Sequence, residues 1–372
     1  MNLGKLTVRI IAFMAGFLVL AEILLRTVVP ACDVPPMELN TEYGFLNYRT
    51  DGQRSGLFTQ GQRAFHRSRW EVNNDGWIFP EDYHPPDARH RPLIAMFGSS
   101  YIEGLWVEPD ENPGIRLREN LNQRFLVYNF SITNSVPSEH LQEARYVRDT
   151  YAPEVYLFIL QPGYLIGCTD LDPERTRFAV EDDTVRVVRP TVLQRGGLDG
   201  VKQLIRKSAL LRYLLWNLRL AAALQGIAVE DQVDAITVRN TVYDDSTEAV
   251  AETVAQYLCR QMRERLGDNA VIVIAHGDIY HDTAPPAMHP EEAILERVAP
   301  EFGIDTIPLT DGFYRKYLSD RRSFKFDYDM HWNAYGLQTL ADILADGMIP
   351  ILETGFPRHP VGNPDGDSTV QQ

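Results

Sequence analysis

Arg91-Pro-Leu-Ile-Ala-Met-Phe-Gly-Ser-Ser-Tyr-Ile-Glu-Gly104 sets an apolar run, Leu93 to Phe97, directly before a glycine and two serines. A run of that length bounded by turn residues suits a strand buried on both faces. The serines then stand at the carboxyl edge of a parallel sheet, where open α/β folds keep their sites. Four more apolar runs follow at Phe125 to Phe130, Val155 to Leu160, Val271 to Ala275 and Thr306 to Leu309. Between and after them the spacing predicts helices over about Asn112 to Gln123, Ser138 to Asp149, Thr247 to Leu266, Pro290 to Phe302 and Ala334 to Asp346. The last begins at Asn333 as N-cap and ends at Gly347. Strands alternating with helical crossovers make an α/β sheet covered on both sides.

Ahead of this pattern, Ile10 to Leu25 is almost unbroken in apolar character, with Lys5 and Arg9 before it and only Glu22 interrupting it. Counting Leu6 to Val29 reaches the length of a membrane span. Positive charge before the span puts the N-terminus in the cytoplasm and the chain body outside it. No small-x-small cleavage site follows closely, so the reading is an uncleaved single-pass anchor over residues 1–32, with a removed signal peptide as the alternative and the remainder extracytoplasmic at the cell membrane. Residues 33–91, rich in Gly, Pro, Asn and aromatics, read as a linker and short-strand cover. The main domain covers 92–351, and 352–372 reads as a disordered tail. An insertion at about 170–245, between the third and fourth strands, holds a strand-like piece, Thr184 to Val188. It also holds a basic amphipathic helix, Ile205 to Leu224, read as packed on the sheet or as a lid, with a membrane surface as the other option.

A chain of 372 residues with 44% hydrophobic content can bury a substantial core. Its formal net charge of −15 repels a polyphosphate, so no nucleic-acid partner is expected. Cys32, Cys168 and Cys259 show no disulfide framework and read as buried thiols.

A hydroxyl is a weak nucleophile unless an imidazole takes its proton and an acid orients that imidazole. Asp329-Met330-His331-Trp332-Asn333 supplies both partners. In an extended stretch residues two apart point the same way, so Asp329 and His331 can approach one another or a shared third group.

Gly98-Ser-Ser-Tyr-Ile-Glu-Gly-Leu-Trp-Val107 resembles the first block of the SGNH (GDSL-type) hydrolases. Asp329-Met-His-Trp-Asn-Ala-Tyr-Gly336 is similar to their last block in its Asp-x-His-Trp-Asn form. The resemblance covers roughly Pro92 to Ile351. It implies a flavodoxin-like three-layer α/β/α sandwich, here with a five-stranded, mainly parallel sheet. It also implies Ser100 as nucleophile, His331 as base and Asp329 as orienting acid, with Ser99 replacing the family's usual Asp.

The middle blocks depart. Asn129 to Ser135 is similar to the second block, whose glycine N–H serves the oxyanion hole, but Asn134 stands at that position. Pro153 to Tyr164 runs like the third block, whose asparagine donates from its side chain, and Gly163 there has none to offer. The oxyanion hole implied is Ser100, Asn134 and Gly163, with the Asn134 amide or Gln161 filling the lost role.

Two readings follow from the resemblance. The first is a serine esterase or O-acyltransferase acting through an acyl-serine on an extracytoplasmic small-molecule or glycan ester; related anchored proteins of this form include ones acting on acetylated polysaccharides. The alternative is a degenerate SGNH-like scaffold that binds a glycan or a partner. No cofactor and no metal are expected, although His276, Asp278, His281 and Asp282 fall within seven residues. Asp327-Tyr-Asp-Met-His331 invites a metal too, but the triad explains the serine as well. Glu103 reads as a helix-start carboxylate answering the dipole, and Trp106 and Trp332 as loop-packing aromatics.

Overall fold

The computed structural model describes residues 3–169, 175–181, 184–190, 204–220, 243–280 and 283–355. In chain order these hold α1 (Leu3–Thr27), β1 (Met37–Asn40), β2 (Phe45–Tyr48), β3 (Ser55–Gln60), β4 (His66–Glu71), β5 (Leu93–Phe97), α2 (Ser100–Glu103), α3 (Pro113–Asn120), β6 (Leu126–Asn129), α4 (Pro137–Tyr151) and β7 (Val155–Leu160). They continue with α5 (Tyr164–Gly167), β8 (Arg177–Glu181), β9 (Thr184–Val188), α6 (Ala209–Arg212), α7 (Asp245–Leu266), β10 (Val271–His276), α8 (Pro290–Val298), β11 (Asp305–Pro308), α9 (Thr310–Asp320) and α10 (Ala334–Gly355).

The central sheet runs β6-β5-β7-β10-β11, and all four pairings are parallel. That is the doubly wound order of flavodoxin-like folds. Side chains alternate across it as strand geometry requires. Leu93, Ala95 and Phe97 of β5 and Tyr156, Phe158 and Leu160 of β7 join the core built with α4, α7 and α8. Ile94, Met96, Val155, Leu157 and Ile159 face the other core, with α3, α9 and α10. Every residue of β5 and β7 is buried, which is why these strands are uniformly apolar instead of alternating with polar residues.

The strand order reverses between β5 and β7. A crevice opens at that switch point, beyond the strands' carboxyl ends. The hairpins β1–β2 and β3–β4 of the cover pair antiparallel beside it. In the insertion between β7 and β10, β8 and β9 form a third hairpin.

Several expectations are corrected. Gly347 does not end the last helix, which continues through Gly355 and takes in the first residues assigned to the tail. A Cβ at Gly347 would lie 2.9 Å from Ile307, so this glycine permits close packing on β11, and Met348 and Leu352 continue the buried stripe beyond it. Residues 356–372 lie outside the described residues, as do His281, Asp282 and residues 221–224 of the expected amphipathic helix. That helix is not continuous. It breaks at Ser208, whose hydroxyl accepts from Leu211 N and starts α6, and then widens into a π-turn over Tyr213–Asn217. Helix α9 was not anticipated. Cys32, Cys168 and Cys259 are buried free thiols.

Candidate active site

Ser100 is the first residue of the short helix α2, directly after β5. Its Oγ stands 3.0 Å from His331 Nε2. The opposite ring nitrogen, Nδ1, meets Asp329 Oδ1, and the same oxygen accepts the His331 backbone N–H at 2.8 Å. A ring N–H held by a carboxylate leaves the Nε2 lone pair toward the hydroxyl, the tautomer a general base requires. Two segments 231 positions apart thus meet at one edge of the sheet.

The loop carrying Asp329 and His331 is held from behind. Asn333 Oδ1 caps α10 through Gly336 N at 2.9 Å, while its Nδ2 donates to the carbonyls of Ser323 and Lys325. Gly336 packs against the chain so closely that a Cβ there would lie 2.3 Å from the Phe324 carbonyl oxygen.

Asp329 is 8% exposed. Burial alone would raise its carboxyl, but the hydrogen bonds and charge of His331 outweigh that, helped by Gln60, and hold it below the ordinary carboxylate range. Gln60, the last residue of β3, donates from Nε2 to Asp329 Oδ2 at 2.7 Å. Trp106 stacks on the His331 ring with centroids 4.1 Å apart at 16°, and Tyr101 stacks at 5.0 Å. These two stacks restrict rotation of the imidazole. Neither Gln60 nor the Trp106 stack was anticipated; only the Trp106 position next to the first motif offered a signal. Trp332, by contrast, is buried against Phe313 and Tyr101.

Around Ser100 lies a cleft of about 770 Å³, within the range of small-molecule sites. Asn134 lines it, in the left-handed region at φ 62°. Among the described residues neither the Ser100 N–H nor any donor of Asn134 has a partner. The Asn134 turn is fixed at both sides. Glu103 Oε1 accepts the Thr133 N–H at 3.0 Å, and Arg175, paired with buried Glu139, donates to the Asn134 carbonyl at 2.6 Å.

Glu103 is fully buried at the end of α2 and also accepts from the Tyr48 hydroxyl at 2.6 Å, so it is a loop holder and not a dipole partner. Burial pushes it up to about 7, against the lowering of those two hydrogen bonds. Among the described residues its Oε2 has no partner, which suits a carboxyl that takes up a proton near neutrality.

Gly163 is placed differently. It is buried at the N-cap of α5 with φ 87° and does not line the cleft, whereas Gln161, Pro162 and Tyr164 do. Tyr164 Oη bonds both Gln161 Oε1 at 2.7 Å and Ser99 Oγ at 2.8 Å. An amide oxygen only accepts, so Tyr164 donates to Gln161 and receives the Ser99 proton. The carbonyl end of Gln161 is occupied, and its Nε2 is left as a donor.

His276 is buried, its ring nitrogens 3.9 Å from a Glu292 oxygen and 3.8 Å from a Glu296 oxygen. Asp278 lines the cleft instead. No group of residues suited to a metal ion occurs among the described residues.

Fold and site together define an α/β/α protein with a serine–histidine–aspartate chain at its switch point. Neither a protein-family model nor a curated protein matches the sequence. Solved structures similar to it include SGNH- or GDSL-type hydrolases and esterases at low identity. One is the psychrotrophic esterase EstA from Pseudoalteromonas sp., with 10% identity over 70% of this chain and 98% of that one and a TM-score of 0.37. Another is an acetyl xylan esterase, with 12% identity over 69% and 100% and a TM-score of 0.37. A third is an SGNH-hydrolase family esterase, with 13% identity over 71% and 98% and a TM-score of 0.32.

Proposed function

We propose that this protein is a serine ester hydrolase or O-acyltransferase that works through an acyl-Ser100 intermediate on an extracytoplasmic ester. The observation that carries the reading is the 3.0 Å approach of Ser100 Oγ to His331 Nε2, with the far ring nitrogen on Asp329. His331 takes the hydroxyl proton as Oγ attacks the ester carbonyl, then returns a proton to the departing alcohol. Asp329, steadied by Gln60, supports the imidazolium that forms between those events. The N–H groups of Ser100 and Asn134 and the Gln161 amide stabilise the tetrahedral oxyanion, the role expected of the third motif position passing from Gly163 to Gln161. Water, or a sugar hydroxyl, then attacks the acyl-serine with His331 again as base.

Helix α1 is long and apolar enough to cross a membrane and is almost wholly exposed. Retention of α1 as a single-pass anchor is supported by the bonds that Glu22 and Arg26, near its end, make to residues 207–210 of the body.

A fluorophosphonate and an activated acetyl ester test the reading together. The expected result is a burst of alcohol release and a label on Ser100; wild-type protein showing neither discards it. Product analysis with and without an acetylated polysaccharide separates hydrolysis from transfer.

A further inference from the structure

The insertion returns to α1. The segment 204–220, Leu-Ile-Arg-Lys-Ser-Ala-Leu-Leu-Arg-Tyr-Leu-Leu-Trp-Asn-Leu-Arg-Leu, holds four cations and no carboxylate in a chain of net charge −15. It is bound to the anchor by a specific polar cluster. Glu22 accepts the Ala209 and Leu210 N–H groups at 2.8 and 3.0 Å and the Ser208 hydroxyl at 3.1 Å, while Arg26 donates to both Glu22 and the Lys207 carbonyl. Leu25, Ala31 and Ala209 pack together beside it. Glu22 is five residues before the end of α1, about 7.5 Å along the axis at the α-helical rise. A helix end pinned at that level puts the start of α6 at the membrane–water boundary whenever α1 spans the bilayer.

The rest of the segment has the composition of that boundary. Leu204, Leu218 and Leu220 are exposed, with Arg206, Lys207 and Arg219 interleaved among them. Apolar side chains beside Lys and Arg are the pattern of interfacial elements on anionic lipid. The same segment supplies Leu215, Trp216 and Arg219 to the cleft wall. Val34, Pro35 and Met37, which also line it, follow α1 directly. Val34 is seven residues past Thr27, within roughly 25 Å of the helix end even if that stretch were fully extended.

We propose that segment 204–220 lies on the bilayer that holds α1. The cleft around Ser100 then opens at headgroup level and draws its acyl donor from an amphiphilic ester carried in the membrane. The substrate half of this inference rests on the acyl-serine reading; the docking half does not.

The test uses the full chain reconstituted in vesicles of phosphatidylcholine and phosphatidylglycerol. Because Cys32, Cys168 and Cys259 are buried at 2%, 0% and 0% exposure, a nitroxide goes to an introduced cysteine. Leu218→Cys is compared with Asp268→Cys, which lies at the opposite edge of the sheet, before β10. Docking predicts that the label at 218 is shielded from an aqueous nickel chelate and open to oxygen, with the label at 268 showing the reverse. Equal aqueous access at both positions, shielding at 218 that persists in detergent-free protein without lipid, or loss of the chain from vesicles after an alkaline wash overturns it.

For the substrate half, the double variant Leu218→Glu, Leu220→Glu is expected to lose about tenfold or more in turnover of a long-chain ester held in the vesicles. Its turnover of a water-soluble acetyl ester and its Ser100 labelling stay unchanged. Equal loss on both esters, or no loss on either, overturns that half. Failure of wild-type Ser100 to label instead removes the acyl-serine reading and leaves the nitroxide result standing.

Discussion

Gln60 Nε2 donates to Asp329 Oδ2 at 2.7 Å, joining the last residue of β3 to the carboxylate that holds His331, 269 positions away. The other oxygen of Asp329 is taken by His331, so this one bond leaves the buried carboxylate with a partner on each oxygen. A hydrogen bond to a charged group contributes about 1.5–3 kcal/mol. Gln60→Leu is therefore expected to lower kcat by about tenfold or more, since each 1.36 kcal/mol is a factor of ten in rate. The sign of the pH effect follows from the depressed Asp329 value. Its anion contributes stability that is present above the unfolded carboxyl range and lost as pH falls through the folded value. Removing Gln60 raises the folded value, so the acid unfolding midpoint moves to higher pH. An acid unfolding midpoint that stays at the wild-type value contradicts this role.

The proposed Ser100–His331–Asp329 triad is expected to act as a unit. Ser100→Ala and His331→Ala are each expected to abolish burst kinetics, and Asp329→Asn to cost about four orders of magnitude in kcat by presenting the wrong tautomer. Ser100→Ala with His331→Ala should be no worse than either alone. Stopped-flow measurement with an activated ester reads all four, and additive losses would mean that the groups do not share one step.

Loss of one oxyanion donor costs about a hundred- to a thousand-fold in kcat. Gln161→Ala is expected to show that loss with KM little changed. Asn134→Gly keeps the backbone N–H and relieves a left-handed φ, so it should stay within a few-fold of wild type. The reverse ranking would assign the hole to the Asn134 side chain.

Glu103 makes a pH prediction about the loop behind that hole. Its folded value of about 7 lies above its ordinary value of 4.5. The folded state then holds the extra proton between those values, so the group's contribution is fully present below pH 4.5 and lost as pH rises through 7. Such a shift corresponds to at most about 3 kcal/mol. Glu103→Gln is expected to flatten the fall in denaturant midpoint between pH 5 and 7.5. A wild-type midpoint that does not change across that range rules this out.

Gly336→Ala is expected to destabilise by about 1–3 kcal/mol, since its Cβ would meet the Phe324 carbonyl, a backbone atom that cannot turn aside. Because α10 starts from the Asp329–Asn333 loop, kcat should fall together with the thermal midpoint. Activity retained at a lowered midpoint would show that the loop is placed independently of the helix.

How much of this was legible depends on what held each piece. The sheet was readable because β5 and β7 are buried on both faces, which writes itself as uninterrupted apolar runs. Ser100, Asp329 and His331 were readable because short-range spacing and motif resemblance mark them. Gln60 was not, since a single amide in a polar hairpin has no periodic signature. Gly347 misled because a glycine chosen for contact with Ile307 looks the same in sequence as one that ends a helix. That Gln161 and not Gly163 lines the cleft was not legible, because a motif position identifies a residue without saying whether its surface reaches the cleft.

By itself the sequence determined the alternation of strands and helices, the apolar N-terminal helix and the residue types able to form a nucleophile, base and acid, because each is encoded by local composition or spacing. Only the tertiary structure decided that Gln60 bonds Asp329, that Trp106 and Tyr101 stack on the imidazole, and that segment 204–220 is tied to Glu22 while walling the cleft. Those are contacts between segments far apart in the chain, and a hydrogen bond between distant segments leaves no pattern in either one.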